Sequence, residues 1–195
     1  LTHKGLLDCQ VLAISGGWSP AIHLHCQSGG RPKYDDNQAC FVPGESAQCE
    51  RSAGSAKGIF QLDNCLKDGI DAGLDAVRQI GYAPVNIDIP YVSTNPSLGI
   101  EPMWNVSNGL PPSLGGRKFV DYQNDTTVAD IELAAREGYR SIEHVKRYTA
   151  LGFGTDQGKT GNINGLAILA EHLGQSIPET GTTTFRPNYT PITFG

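Results

Sequence analysis

Between residues 83 and 116 the chain carries six prolines, Pro84, Pro90, Pro96, Pro102, Pro111 and Pro112, together with Gly99, Gly109, Gly115 and Gly116. Each proline fixes φ and removes a backbone donor, so no continuous helix can cross this stretch. It reads as an extended connector packed against other surfaces, and it splits the 195 residues in two. The boundaries follow: one unit at 1–83, the connector at 84–116, a small helical unit at 117–175 and an extended tail at 176–195.

In the first unit, residues 8–20 read Asp-Cys-Gln-Val-Leu-Ala-Ile-Ser-Gly-Gly-Trp-Ser-Pro, a short apolar run halted by Gly16-Gly17 and Pro20. A buried parallel strand ending in a tight loop gives this pattern. A turn-rich stretch at 29–37 precedes a second expected strand at 39–42. Leu62, Leu66, Ile70, Leu74 and Val77 then recur at helical spacing, which predicts a helix over 59–81, with Gly69 and Gly73 allowing close approach.

Beyond the connector, residues 119–122 predict a short strand. Asp125-Thr126-Thr127 can cap a helix from Val128 to Gly138, with Ile131, Leu133, Ala134 and Ala135 apolar. Ser141 caps a second helix whose inner face is read as Ile142, Val145 and Tyr148. A third spans 164–173, and the tail is read as irregular.

Fifteen Lys and Arg against 20 Asp and Glu give a net charge of -5 with no basic block, which argues against a nucleic-acid partner. No apolar run reaches the ~18 residues of a membrane span, so a soluble chain is expected. Cys9, Cys26, Cys40, Cys49 and Cys65 are odd in number and contain no Cys-x-x-Cys pair, which fits reduced thiols in the cytoplasm. The missing initiator Met and leader suggest an excised piece. Sequons at Asn105, Asn124 and Asn188 are read as chance.

Gly152-Phe153-Gly154-Thr155-Asp156-Gln157-Gly158-Lys159-Thr160 imitates a phosphate loop, but its glycines stand in the wrong register for a Walker motif and it follows a helix rather than a strand. Its amides, the Lys159 ammonium and the Thr155 and Thr160 hydroxyls could still hold a phosphate monoester; the plainer reading is a glycine-rich turn. His23-Leu24-His25-Cys26 lacks the second half of a closed zinc site, so core or solvent-edge histidines are expected. His144 has no nucleophile paired with it, and no carboxylates announce themselves as an acid–base pair.

Residues Phe119-Val120-Asp121-Tyr122-Gln123-Asn124-Asp125, the run from Arg136 through Glu143-His144-Val145-Lys146-Arg147-Tyr148-Thr149, and Thr155-Asp156-Gln157-Gly158-Lys159-Thr160 closely resemble the alpha subunit of heterotetrameric sarcosine oxidases. The tail Thr182 to Pro191 is similar to that family's approach to an aminomethyltransferase-like domain. Ser15-Gly16-Gly17-Trp18-Ser19-Pro20 and Ala53-Gly54-Ser55-Ala56-Lys57-Gly58 resemble the end of its dinucleotide-binding domain.

The resemblance implies an α/β plus α fold: the C-terminal part of a Rossmann-like domain, then a small helical domain like the ferredoxin-like, BFD-type [2Fe-2S] domains but without the cluster. Where related dehydrogenases carry cluster cysteines, this chain has Asp121, Gln123, Asp156 and Gly161. The resemblance further implies oxidative demethylation of sarcosine, with oxygen reduced to hydrogen peroxide and the one-carbon unit passed to tetrahydrofolate. It implies an FMN site shared with the beta subunit, placed here at Arg147, Thr155, Gln157, Lys159, Thr160 and Asn162. An NAD site is placed at Gly16, Gly17, Trp18, Gly54 and Ser55, weak or absent without the first glycine-rich turn of such a domain. No iron–sulfur cluster and no zinc are expected, and the isolated piece is expected to be inactive. The partners implied are the beta and other subunits of the heterotetramer, with no nucleic acid or membrane, and exposed sheet edges allow self-association. A non-catalytic docking module, or the alpha subunit of a proline- or opine-oxidising relative, remain alternatives.

Overall fold

A computed structural model describes residues 8–11, 13, 16–93, 99–106, 109–110, 114–185, 190 and 193–194. It is a mixed α/β chain. In order it contains α1 (His23–Gln27), β1 (Lys33–Asp35), β2 (Cys40–Val42), a 3-10 turn (Gly54–Lys57), α2 (Leu62–Gln79), β3 (Phe119–Asp121), β4 (Thr126–Thr127), α3 (Val128–Arg136), α4 (Ile142–Thr149), α5 (Asn162–Leu173) and α6 (Ile177–Thr180).

The core lies in the second half, where Val128, Ile131 and Ala134 of α3, Ile142 and Val145 of α4, Leu151, and Leu166, Ile168 and Leu169 of α5 form one cluster. Thr127 begins α3 through a capping box: its hydroxyl accepts from the Asp130 amide while the Asp130 carboxylate accepts from the Thr127 amide. Gly165 brings α5 close to Leu151, where a Cβ would stand 2.5 Å from a Leu151 methyl carbon.

Both sheets are antiparallel hairpins. β1 pairs with β2 in the register Lys33 to Val42, and β3 pairs with β4 in the register Phe119 to Thr127. The expected strand at 39–42 is present, but its partner is the turn-rich 29–37 stretch rather than a parallel neighbour. The strand expected within 8–20 is a correction: the described residues there are irregular, and Val11 and Trp18 are 82% and 77% exposed. A buried parallel strand needs neighbours on both edges and cover on both faces, and none is present among the described residues. Leu12, Ile14 and Ser15 lie outside them.

Helix α2 forms where the apolar spacing predicts, yet none of its residues is buried, and its main packing partner is the 3-10 turn. Tyr148 is a second correction. It is 43% exposed, stacked on Tyr139 and donating to Glu137 at 2.8 Å, while Lys146 is buried in its place over the Phe153 ring. Successive steps of three residues drift round a helix of 3.6 residues per turn, so the inner face passes from Ile142 through i+3 and i+4 rather than i+6.

Helices α1 and α6 were not expected. The described residues of the connector are irregular, and Trp104 packs against the core. Val85, Ile87, Ile89 and Tyr91 are exposed rather than packed, a correction to the packed-connector reading. Pro96, Pro111 and Pro112 lie outside the described residues.

Candidate functional site

The glycine-rich stretch at 150–161 is a folded loop strapped to β3. Asp121 on β3 is 5% exposed; one carboxylate oxygen accepts the Gly152 amide at 2.7 Å and the other accepts the Gln123 and Asn124 amides at 2.8 and 3.3 Å. Gln123 Oε1 in turn accepts from Thr155 Oγ1 at 3.1 Å. Asp156 accepts from the Gly158 amide at 3.0 Å and from Thr160 Oγ1 at 2.8 Å. Burial alone would raise the Asp156 carboxyl, but those donors and the Lys159 charge together hold it below its ordinary value. Asp121, Gln123, Asp156 and Gly161 thus come together: Gly161 meets the same strand, where a Cβ would lie 2.8 Å from the Val120 carbonyl oxygen.

The loop and the first residue of α5 bring Gly158, Lys159 and Asn162 to the wall of a cavity of about 310 Å³. Its other walls include Ile22 and His23 at the start of α1, Phe41 on β2, Leu166 on α5, and Thr183 and Phe185 in the tail. Asn162 Nδ2 donates to Thr183 Oγ1 at 3.1 Å, while its Oδ1 is buried and accepts no hydrogen bond. The amide is locked between two glycines, since a Cβ on Gly152 or Gly158 would stand 2.2 or 2.1 Å from it. Both glycines also hold positive φ, 70° and 75°. The His23 ring meets the Phe185 ring in a tilted contact, centroids 4.0 Å apart at 51°, and burial, helped by the Lys159 charge, lowers its proton affinity below that of an ordinary histidine. The result is a largely apolar, aromatic-sided pocket whose described walls carry Lys159 and a His23 ring of lowered proton affinity, chemistry suited to a flat ring with an anionic substituent.

Of the expected flavin-side residues, Lys159 and Asn162 reach this cavity. Thr155 and Thr160 turn their hydroxyls to Gln123 and Asp156, and Gln157 donates to the Gly154 carbonyl at 3.1 Å, so all three shape the loop from behind. Arg147 is held on α4 by Glu143, at 2.8 Å from its carboxylate and 2.6 Å from its carbonyl. Glu143 also accepts the Thr184 amide, tying the tail to α4. Gly16, Gly17 and Trp18 lie in an exposed segment; Gly54 and Ser55 lie on the 3-10 turn, where the Gly54 amide donates to Asp68 at 2.9 Å. None of these five lines the cavity.

Sequence reasoning missed His23, Phe41, Thr183 and Phe185. His23 and His25 are 6% and 3% exposed while Leu24 between them is 65% exposed, the core-histidine arrangement the sequence suggested. His25 bonds Glu50 at 2.8 Å. Among the described residues no three His, Cys, Asp or Glu side chains gather as a metal set, and no helix is long and apolar enough to cross a membrane. All five cysteines are free.

Residues 115–195 match the sarcosine oxidase A3 domain. The chain is 39% identical over 186 residues to the sarcosine oxidase alpha subunit of Rhizobium meliloti, covering 95% of this chain and 18% of that one. It is 36% identical over 195 aligned residues to the alpha subunits of two Corynebacterium strains, P-1 and U-96, covering 96% of this chain and 20% of each of those. Among solved structures, L-proline dehydrogenase from P. horikoshii shares the fold with a TM-score of 0.61 at 18% identity, over 90% of this chain and 36% of that one. The resemblance read from residues 119–160 therefore holds along nearly the whole length, and the chain spans about a fifth of the curated relatives it matches.

Proposed function

From a chain related over nearly all its length to sarcosine oxidase alpha subunits, we propose a role inside an oxidoreductase complex: residues 150–185 supply one face of an FMN site that the beta subunit completes. The cavity beside Lys159 carries this reading. At about 310 Å³ it lies at the low end of ligand pockets, which run roughly from 300 to 1,000 Å³, as one face of a shared site would. The tilted His23 and Phe185 rings on its wall, with the Lys159 ammonium beside them, fit a planar group that carries negative charge. When bound, FMN supplies a ring that takes up electrons from amine oxidation and passes them to oxygen.

In this reading Lys159 offsets negative charge on the flavin, Asn162 ties the cavity wall to the tail through Thr183, and His23 with Phe185 closes an apolar wall without adding charge. Asp121, Thr155, Asp156, Gln157 and Thr160 hold the loop in shape, and Arg147 braces Glu143 against the tail. In the assembled complex, Lys159→Met is expected to lower FMN retained per heterotetramer severalfold while subunit stoichiometry stays unchanged. Unchanged flavin content would remove Lys159 from the site; loss of assembly with a normal flavin spectrum in the residual complex would favour the docking-module reading instead. The choice of amine, sarcosine or a proline- or opine-like relative, is assigned to the beta subunit, and transfer of the one-carbon unit to tetrahydrofolate to the remaining polypeptide of the alpha subunit.

The NAD reading keeps only an exposed rim in this chain. Titration with NAD, followed by Trp18 fluorescence, is expected to show no saturation at micromolar concentrations, and saturation there would restore Gly16, Gly17, Gly54 and Ser55 as a working site.

A further inference from the structure

Val85-Asn86-Ile87-Asp88-Ile89-Pro90-Tyr91 alternates β-forming apolar residues with polar residues or proline, the period of a half-buried strand. The structure leaves the segment outside any ladder and exposed along its length, with Val85 at 75%, Ile87 at 51%, Ile89 at 43% and Tyr91 at 92%. An independent feature concerns its edges. Backbone N–H and C=O groups of successive strand residues point to opposite edges, so residues 84, 86, 88 and 90 share one edge and 85, 87, 89 and 91 the other. Pro84 and Pro90 both fall on the first edge and deprive it of donors at its two ends. The second edge keeps an N–H at Val85, Ile87, Ile89 and Tyr91. A strand able to pair on one side and blunted on the other is an edge strand.

We propose that residues 85–91 add as an edge strand to a sheet formed elsewhere in the same subunit polypeptide. The strands described in this chain have three residues or two, too short to pair along seven. The curated relatives carry the equivalent stretch within a polypeptide about five times as long, so the sheet has ample chain to come from. Just upstream, α2 leaves Leu62 exposed and Leu66, Ile70 and Val77 only half-covered on one stripe, with open space where Gly69 and Gly73 would carry a Cβ. Two adjacent elements thus present uncovered apolar faces within 30 residues, which one neighbouring sheet with its own apolar face can cover together. The proposal rests on kinship with the alpha subunit and stands apart from the flavin reading.

Hydrogen exchange resolved to single residues tests it on three samples: the 195-residue chain, the complete alpha subunit alone, and the complete complex. Amides of Val85, Ile87, Ile89 and Tyr91 are expected to exchange at least 100-fold more slowly in the complete alpha subunit than in the shorter chain, with Asn86 and Asp88 still fast and no further change in the complex. In the complete alpha subunit, Ile87→Pro should abolish that protection and Asp88→Pro should leave it within twofold. Protection that needs the other subunits, protection that grows with concentration of the 195-residue chain, equal losses in the two proline variants, or fast exchange throughout would each overturn the proposal.

Discussion

Asp121 shows how one buried side chain can join two segments distant in sequence. Its buried carboxylate takes three backbone amides, those of Gly152, Gln123 and Asn124, and so joins the β3 turn to the loop that feeds the cavity. An amide at this position keeps the shape but loses the charge-assisted acceptance and sets a donor against donors. Asp121→Asn should cost about 2 to 3 kcal/mol in urea unfolding, the range for bonds to charged groups together with an unmet buried donor. Asp156 carries a pH signature. Its carboxyl is lower in the folded state than the ordinary 3.8, so it contributes stability above that value and the contribution is lost as pH falls through the folded one. Asp156→Asn should therefore flatten the fall in stability below about pH 4, measured by urea midpoints at a series of pH values. Cys26 and Cys40 are pushed up to about 11 by burial, so both are protonated at neutral pH. Iodoacetamide should modify exposed Cys9 and Cys49 first and Cys40 last, as read by peptide mass mapping.

At the scale of elements, the helices that the sequence discloses, α2 to α5, are those long enough to show an apolar spacing, and α3 also fixes its own start. Thr127 with Asp130 starts α3 and Gly138, at φ 99°, ends it; Thr127→Ala should cost about 1 kcal/mol, within the range for lost N-caps, and a thermal melt followed by circular dichroism would show it. Helix α5 is legible for the same reason, being apolar from Leu166 to Leu169 and closed by Gly174 in the left-handed region. Helix α6 has an equally local signal, Ser176 with Glu179 as a capping box around Pro178, but four residues leave no periodicity to read. The hairpin at 33–42 is harder because Asp35 makes its turn by accepting the Asn37 and Gln38 amides, so the stretch reads as turn and hides the strand within it. The cavity is legible only in part. Lys159 and Asn162 belong to a recognisable loop, whereas His23, Phe41 and Phe185 meet it through contacts between distant segments that no spacing encodes.

At the scale of the whole molecule, the two halves meet through the connector and through side chains that bypass it. Phe41 from the β1–β2 hairpin, Trp104 from the connector and Ile177 from α6 pack on the same core, and α6 contacts β1. The segment 82–91 bears no such load: every residue in it is exposed and none lies in a helix or strand. Local opening there costs little, so a protease should find Tyr82 or Tyr91 before it finds any site in α3 to α5. Limited chymotrypsin treatment is then expected to nick the chain once and leave two fragments that co-elute on gel filtration, because the contacts of Phe41 and of the cavity wall do not pass through the cut. Moderate urea should part them. Fragments that separate immediately on cleavage would mean that the connector, and not the shared core, keeps Ile22, His23 and Phe41 against Lys159, and the cavity would then be lost with the cut.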